Sequence, residues 1–201
     1  MTLNLYTKFK NLYTKDNIGG LIGSMQDSSI VDCIIQNTSV RGECNVGGIV
    51  GNMNNSVMLQ CFQLGPATLA IATASSNNAG GLVGYCLMAN ISQCGVLAGV
   101  VCSANAAGGA VGRVGGRLLM DQVYVTENVS IHLSTQGFGG LVSYFYGGPD
   151  SHVTNSYSNA LLIGLTCGGG LFEGACATTI HFSFCKSQKN KFPIFQNSSN
   201  T

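Results

Sequence analysis

Short apolar runs alternate with clusters of Gly, Asn and Ser along this chain, and the alternation itself repeats. A glycine pair followed by two apolar residues stands at Gly19-Gly20-Leu21-Ile22, Gly47-Gly48-Ile49-Val50, Gly80-Gly81-Leu82-Val83, Gly108-Gly109-Ala110-Val111, Gly139-Gly140-Leu141-Val142 and Gly169-Gly170-Leu171-Phe172. The first glycines of the pairs lie 28, 33, 28, 31 and 30 residues apart. A second feature keeps step. Fourteen residues after the first glycine the spacing reaches Cys33, Cys61, Cys94, Gln122 and Ser183. In the fifth unit the equivalent is Ser156, at seventeen, because Tyr146-Gly147-Gly148-Pro149-Asp150 inserts a turn. An apolar side chain precedes each by three residues: Ile30, Met58, Ile91, Leu119, Val153 and Ile180. Seven residues after come Val40, Val101, Val129 and Ile163 in four of the units. Each unit therefore reads as three short strands separated by turn residues.

A unit of about 30 residues with strands this short cannot bury a face alone, whereas stacked copies bury a common core. The pattern predicts an all-β chain, a parallel and right-handed β-helix or solenoid of about six coils. Equivalent strands would pair at roughly 4.7–4.9 Å, giving a rod of about 30 Å. Inward residues would pile into columns, with Cys33, Cys61, Cys94, Gln122, Ser156 and Ser183 forming one structural ladder. The glycine pairs would stand where the chain turns with positive φ or passes close to its neighbour. A propeller blade needs a longer period of roughly 40–50 residues, and the leucine and asparagine spacing of leucine-rich repeats is missing. The organisation expected is a partial coil or cap over 1–18, six repeats over 19–185, starting at 19, 47, 80, 108, 139 and 169, and a cap or flexible tail over 186–201.

The glycine cores Gly80-Gly81-Leu82-Val83-Gly84 and its five relatives, with Cys61-Phe62, Ser156-Tyr157 and Ser183-Phe184 in a later strand, resemble the GLUG repeat. The match spans roughly residues 17–185 and is specific in the glycine core. Proteins with this repeat tend to be large, adhesin-like and displayed at the cell surface or secreted. The repeat also occurs in the non-catalytic β-helical part of some bacterial immunoglobulin-A-cleaving proteases. The resemblance implies a spacer or binding stalk, extracellular or at the cell surface. The cysteines at three ladder positions depart from it, since the family more often has Ser there.

Composition narrows the function classes. Charged residues are 8% of the chain and the net charge is +1. No Asp, Glu, Lys or Arg occurs between Glu43 and Arg113, while lysines gather near the ends at Lys8, Lys10, Lys15, Lys186, Lys189 and Lys191. A nucleic-acid groove needs cations along its body, so nucleic acid is not expected as a partner. No apolar run reaches the roughly 18 residues of a transmembrane helix. The nine cysteines form no C-x-x-C pair, and His132, His152 and His181 lack ligand spacing to them, so neither a metal nor a cofactor is expected.

The acids are scattered. Asp32 and Asp121 take the same slot just before the ladder, three rungs or roughly 14 Å apart, with Gln60, Gln93 and Asn155 in that slot elsewhere. Glycosidase carboxylates stand about 5–9.5 Å apart. No catalytic residue is assigned, and the reading is a non-catalytic repeat domain for adhesion, protein or glycan binding, or a structural stalk. A carbohydrate-active β-helix enzyme and an intracellular scaffold, which would place the chain in the cytoplasm, are the alternatives. The contact surface expected is Tyr144, Phe145, Tyr146 and Asp150, because an insertion that breaks a repeat is where binding concentrates. Met1–Asn17 looks like the tail of a preceding coil, which suggests a longer polypeptide. Five sequons, at Asn37, Asn54, Asn90, Asn128 and Asn197, become glycosylation sites if a eukaryotic cell secretes the chain.

Overall fold

A computed structural model describes residues 6–7, 12–14, 16–65, 67–71, 78–103, 105–133, 137–148, 150–163, 168–175, 178–181, 184–185 and 195–196. Strands of two to five residues account for all regular structure among them. They form five sheets of six or seven strands, and each strand's neighbours are its equivalents in the turns before and after. Pairing is parallel in every sheet. The chain is thus an all-β parallel solenoid with about 30 residues per turn, as the spacing predicts. The stretch from Ile18 to Gly137 makes four turns, fewer than the six coils expected, and strands on both sides of it are described in part.

The second turn shows the plan. Val46–Gly47 belongs to the glycine sheet, Val50–Asn54 to a second sheet, Ser56–Leu59 to a third, Phe62–Leu64 to a fourth and Ala67–Ile71 to a fifth. Five strands per turn replace the three expected. Strands as short as Val46–Gly47 and Tyr124–Val125 carry too little alternation to stand out from the turns around them. The glycine sheet has six strands, one for each expected glycine pair. Tyr6–Thr7 and Leu12–Thr14 add strands beside Ile34–Gln36 and Val40–Gly42, and Phe195–Gln196 pairs with Phe172–Glu173.

Corners between sheets fall on polar residues in the left-handed region. Asp27 and Asn55 turn the chain from the second sheet into the third. Asp32, Gln60, Gln93, Gln122 and Asn155 turn it from the third into the fourth, with φ between 48° and 54°. The glycine pairs serve close approach instead. A Cβ on Gly47 would lie 1.9 Å from the carbonyl oxygen of Val50, inside its own corner. A Cβ on Gly48 would lie 2.1 Å from the carbonyl oxygen of Gly81 in the next turn. The first glycine is required by the bend and the second by the stacking, at a distance no side chain tolerates.

Inside the coil, equivalent residues stack in columns. The third sheet contributes Ile30, Met58, Ile91, Met120 and Val153, all buried. Met120, not Leu119, occupies the fourth turn, because Leu119 pairs with Asn90 and His152 on the outer face. The fifth sheet contributes Val40, Val101, Ile131 and Leu162, all buried. Val129 instead pairs with Gly99, and Ile163 faces outward. Large and small residues alternate to fill one volume: Phe138 follows Ala79 and Ala107 in the glycine sheet, and Phe145 follows Cys86 and Val114 in the second.

Candidate functional site

The outward column of the second sheet runs Ser24, Asn52, Tyr85, Arg113 and Tyr144. Pleating decides this set. Val114 and Phe145 point into the core, so Arg113 and Tyr144, one residue earlier, point out. Phe145 was expected at the contact surface but is 1% exposed and lies edge-on to Phe172, 5.9 Å between centroids. Alternation corrects that expectation: of three consecutive aromatics, only the first and third share a face.

Tyr146 carries the column beyond the strand. Its N–H donates to the Val114 carbonyl at 3.0 Å, one rung below. This places the Tyr146 ring parallel to Tyr144, with centroids 5.9 Å apart and planes 8° apart. The Arg113 guanidinium carbon stands over the Tyr146 ring, 5.3 Å from its centroid, within the range of cation–π attraction. Tyr146 is 53% exposed, Tyr144 and Arg113 are half-buried, and the Arg113 Nε is buried with no hydrogen-bond partner. Tyr85 closes the lower side, its hydroxyl lying across Gly115, where a Cβ would come within 2.2 Å.

The insertion that supplies Tyr146 is held at both ends. Gly147 is buried where a Cβ would meet the Phe145 ring and the Ser151 hydroxyl. The Ser151 N–H donates to the Gly148 carbonyl at 3.0 Å. Gly148 faces open space, and Asp150 is exposed. Pro149 lies outside the described residues.

The ladder is a corner device. The N–H of Cys61 donates to Cys94 Sγ at 3.4 Å, and the Val123 N–H donates to Ser156 Oγ at 3.1 Å. Each acceptor donates in turn to a carbonyl two residues earlier, Cys94 to Ser92 at 3.0 Å and Ser156 to Thr154 at 2.7 Å. Ser and Cys are interchangeable here because both have one donor and an acceptor on a short stem. The column runs Cys33, Cys61, Cys94, Val123 and Ser156, so Gln122 is not part of it. One extra residue at Gly115-Gly116 moves the fourth turn by one, and Gln122 is the left-handed corner residue. Ser183 lies outside the described residues, as do Cys167 and Cys176.

Burial first, then the neighbouring Cys61, pushes the Cys33 thiol up to about 11. Burial pushes Cys86 up to about 12. Cys61 is raised by its hydrogen bond with Cys94 and by burial. These thiols are packing groups held neutral.

The same shift of one residue separates Asp32 from Asp121. Asp32 is a left-handed corner residue, equivalent to Gln60, whereas Asp121 pairs with Ser92 and Thr154 on the outer face of the third sheet. Asp121 accepts hydrogen bonds from Thr154 Oγ1 at 2.6 Å and Asn155 Nδ2 at 2.8 Å. It lies in a shallow depression of about 170 Å³ with Asn90, Ser92, Leu119 and His152. Asp27 accepts from Asn55 Nδ2 at 2.6 Å. Both carboxylates tie successive turns together. A column absent from the spacing pattern does the same: Asn45 donates to Asn17 at 2.8 Å and accepts from Asn78 at 2.7 Å. An Asn two residues before the glycine pair in each of the first three units was the available signal.

Among the described residues no three His, Cys, Asp or Glu side chains are grouped to hold a metal ion. No helix among them is long and apolar enough to cross a membrane. No family model, no curated protein and no solved structure matches this chain.

Proposed function

We propose that this solenoid is a non-catalytic binding module, displayed at a cell surface or secreted, whose contact surface is the outer wall around Tyr85, Arg113, Tyr144 and Tyr146. The observation that carries the reading is the parallel Tyr144–Tyr146 pair with Arg113 over it. Aromatic rings and an arginine, set at an insertion in an otherwise regular wall, are the residue types that dominate binding surfaces. A rigid scaffold holds them, since Arg113 and Tyr144 lie in paired strands and Tyr146 is tied to the rung below. The GLUG-like glycine cores favour the same class, an adhesin-like stalk with a contact face.

The test is a screen of the purified chain against glycans and extracellular proteins, with Tyr146→Ala and a deletion of residues 146–150 as controls. A ligand retained by the parent and lost by Tyr146→Ala, with an unchanged β-rich circular dichroism spectrum, is the expected result. Ligands held equally by the parent and both variants would place binding elsewhere and overturn this assignment.

A further inference from the structure

We infer that the patch takes a carboxylate-bearing saccharide, with the acid group on Arg113 and a sugar ring against Tyr146; this rests on the binding-module reading above. Arg113 is the first charged residue after Glu43, so the second and third turns offer it no counter-ion. Its neighbours in the outward column of the second sheet are Tyr85 and Tyr144, both neutral. Among the described residues it forms no ion pair, and its Nε is buried without a partner. A guanidinium whose carbon lies 5.3 Å from the Tyr146 centroid can still donate from its terminal N–H groups. A carboxylate matches their fork with two parallel hydrogen bonds.

The second half of the ligand follows from the tyrosines. Tyr146 is 53% exposed and lies parallel to Tyr144. An exposed, rigid aromatic ring suits the apolar C–H face of a sugar, and its hydroxyl suits the sugar's own hydroxyls. A free carboxylate alone would leave Tyr146 unused, and a neutral sugar would leave Arg113 uncompensated. Gly148 beside the patch faces open space, with nothing within 4 Å of where its Cβ would stand.

The probe is trigalacturonate, compared with its methyl ester, which keeps the rings and removes the charge, and with a sulfated trisaccharide. Titration calorimetry should show the acid binding roughly tenfold or more tightly than the ester, the effect of one charge-assisted pair. Arg113→Gln should remove that difference, and Arg113→Lys should recover only part of it, because an ammonium lacks the fork. Equal binding of acid and ester, or tighter binding of the sulfated sugar, would overturn the carboxylate assignment. So would no binding of the acid by a folded parent chain. If the wider screen still finds ligands lost in Tyr146→Ala, the binding module stands and only its ligand class falls; if no Tyr146-dependent ligand exists, both fall.

Discussion

At the corner before Phe62, a backbone amide has no strand partner and a side chain one turn away accepts its hydrogen bond. Cys94 does this for Cys61, and Ser156 does it for Val123. The two cases predict the outcome of exchange. Cys94→Ser keeps an acceptor on the same stem and should change stability by less than about 1 kcal/mol. Cys94→Ala leaves a buried N–H without a partner and should cost about 1–3 kcal/mol. Urea unfolding of both variants beside the parent measures the difference, and equal losses would show that thiol packing, not the hydrogen bond, holds the corner. The buried thiols also set a pH dependence. An unfolded thiol releases its proton near 9.0, while the folded chain holds Cys33 to about 11 and Cys86 to about 12. Between those values the folded state binds more protons, so stability is whole below pH 9 and falls as pH rises. The slope is at most about 1.4 kcal/mol per pH unit for each thiol. Urea unfolding at pH 8 and pH 10 should show the loss, and Cys86→Val should remove part of it.

Strands and corners differ in how far they can be read from the chain. The glycine pairs were legible because two hard contacts, the bend and the next turn's carbonyl, each forbid a Cβ, and the constraint returns every turn. The corner columns were legible only while the turns kept equal length. From the last inward residue of the second sheet to the first of the third takes three steps from Met53 to Ser56, four from Val114 to Leu118 and six from Phe145 to Ser151. Counting from the glycines therefore assigned Gln122 and Leu119 one residue early. Aligning Gln122 with Gln93 would have corrected it, since polar residues in the left-handed region mark that corner. The binding patch was half legible. Its insertion announces itself, but Arg113 meets Tyr146 only through the register of two strands and the extra N–H of Tyr146. Nothing in one turn's sequence encodes a partner 33 residues away.

Over the whole molecule, each turn touches only its neighbours, and damage should stay local. Gly48→Ala tests this. The added methyl would meet the Gly81 carbonyl at 2.1 Å, so the second and third turns must move apart there. Overpacking of this kind costs roughly 1–3 kcal/mol or more. The amides that bridge those turns, Ile49 and Val50 donating to Leu82, should then exchange hydrogen faster. Leu141 and Val142, three turns from Gly48, donate to Leu171 in the next turn and should keep their protection. Gly148→Ala is the matched control: nothing lies within 4 Å of its added Cβ, and exchange should be unchanged throughout. Native-state hydrogen exchange by mass spectrometry reads all these segments in one experiment. Equal acceleration in the second and fifth turns of Gly48→Ala would mean that the solenoid opens as a single unit. A local opening means instead that the wall bearing Arg113 and Tyr146 holds its shape while distant turns vary. That independence is what lets a repeat scaffold change its insertions, and with them its contact surface, without losing its fold.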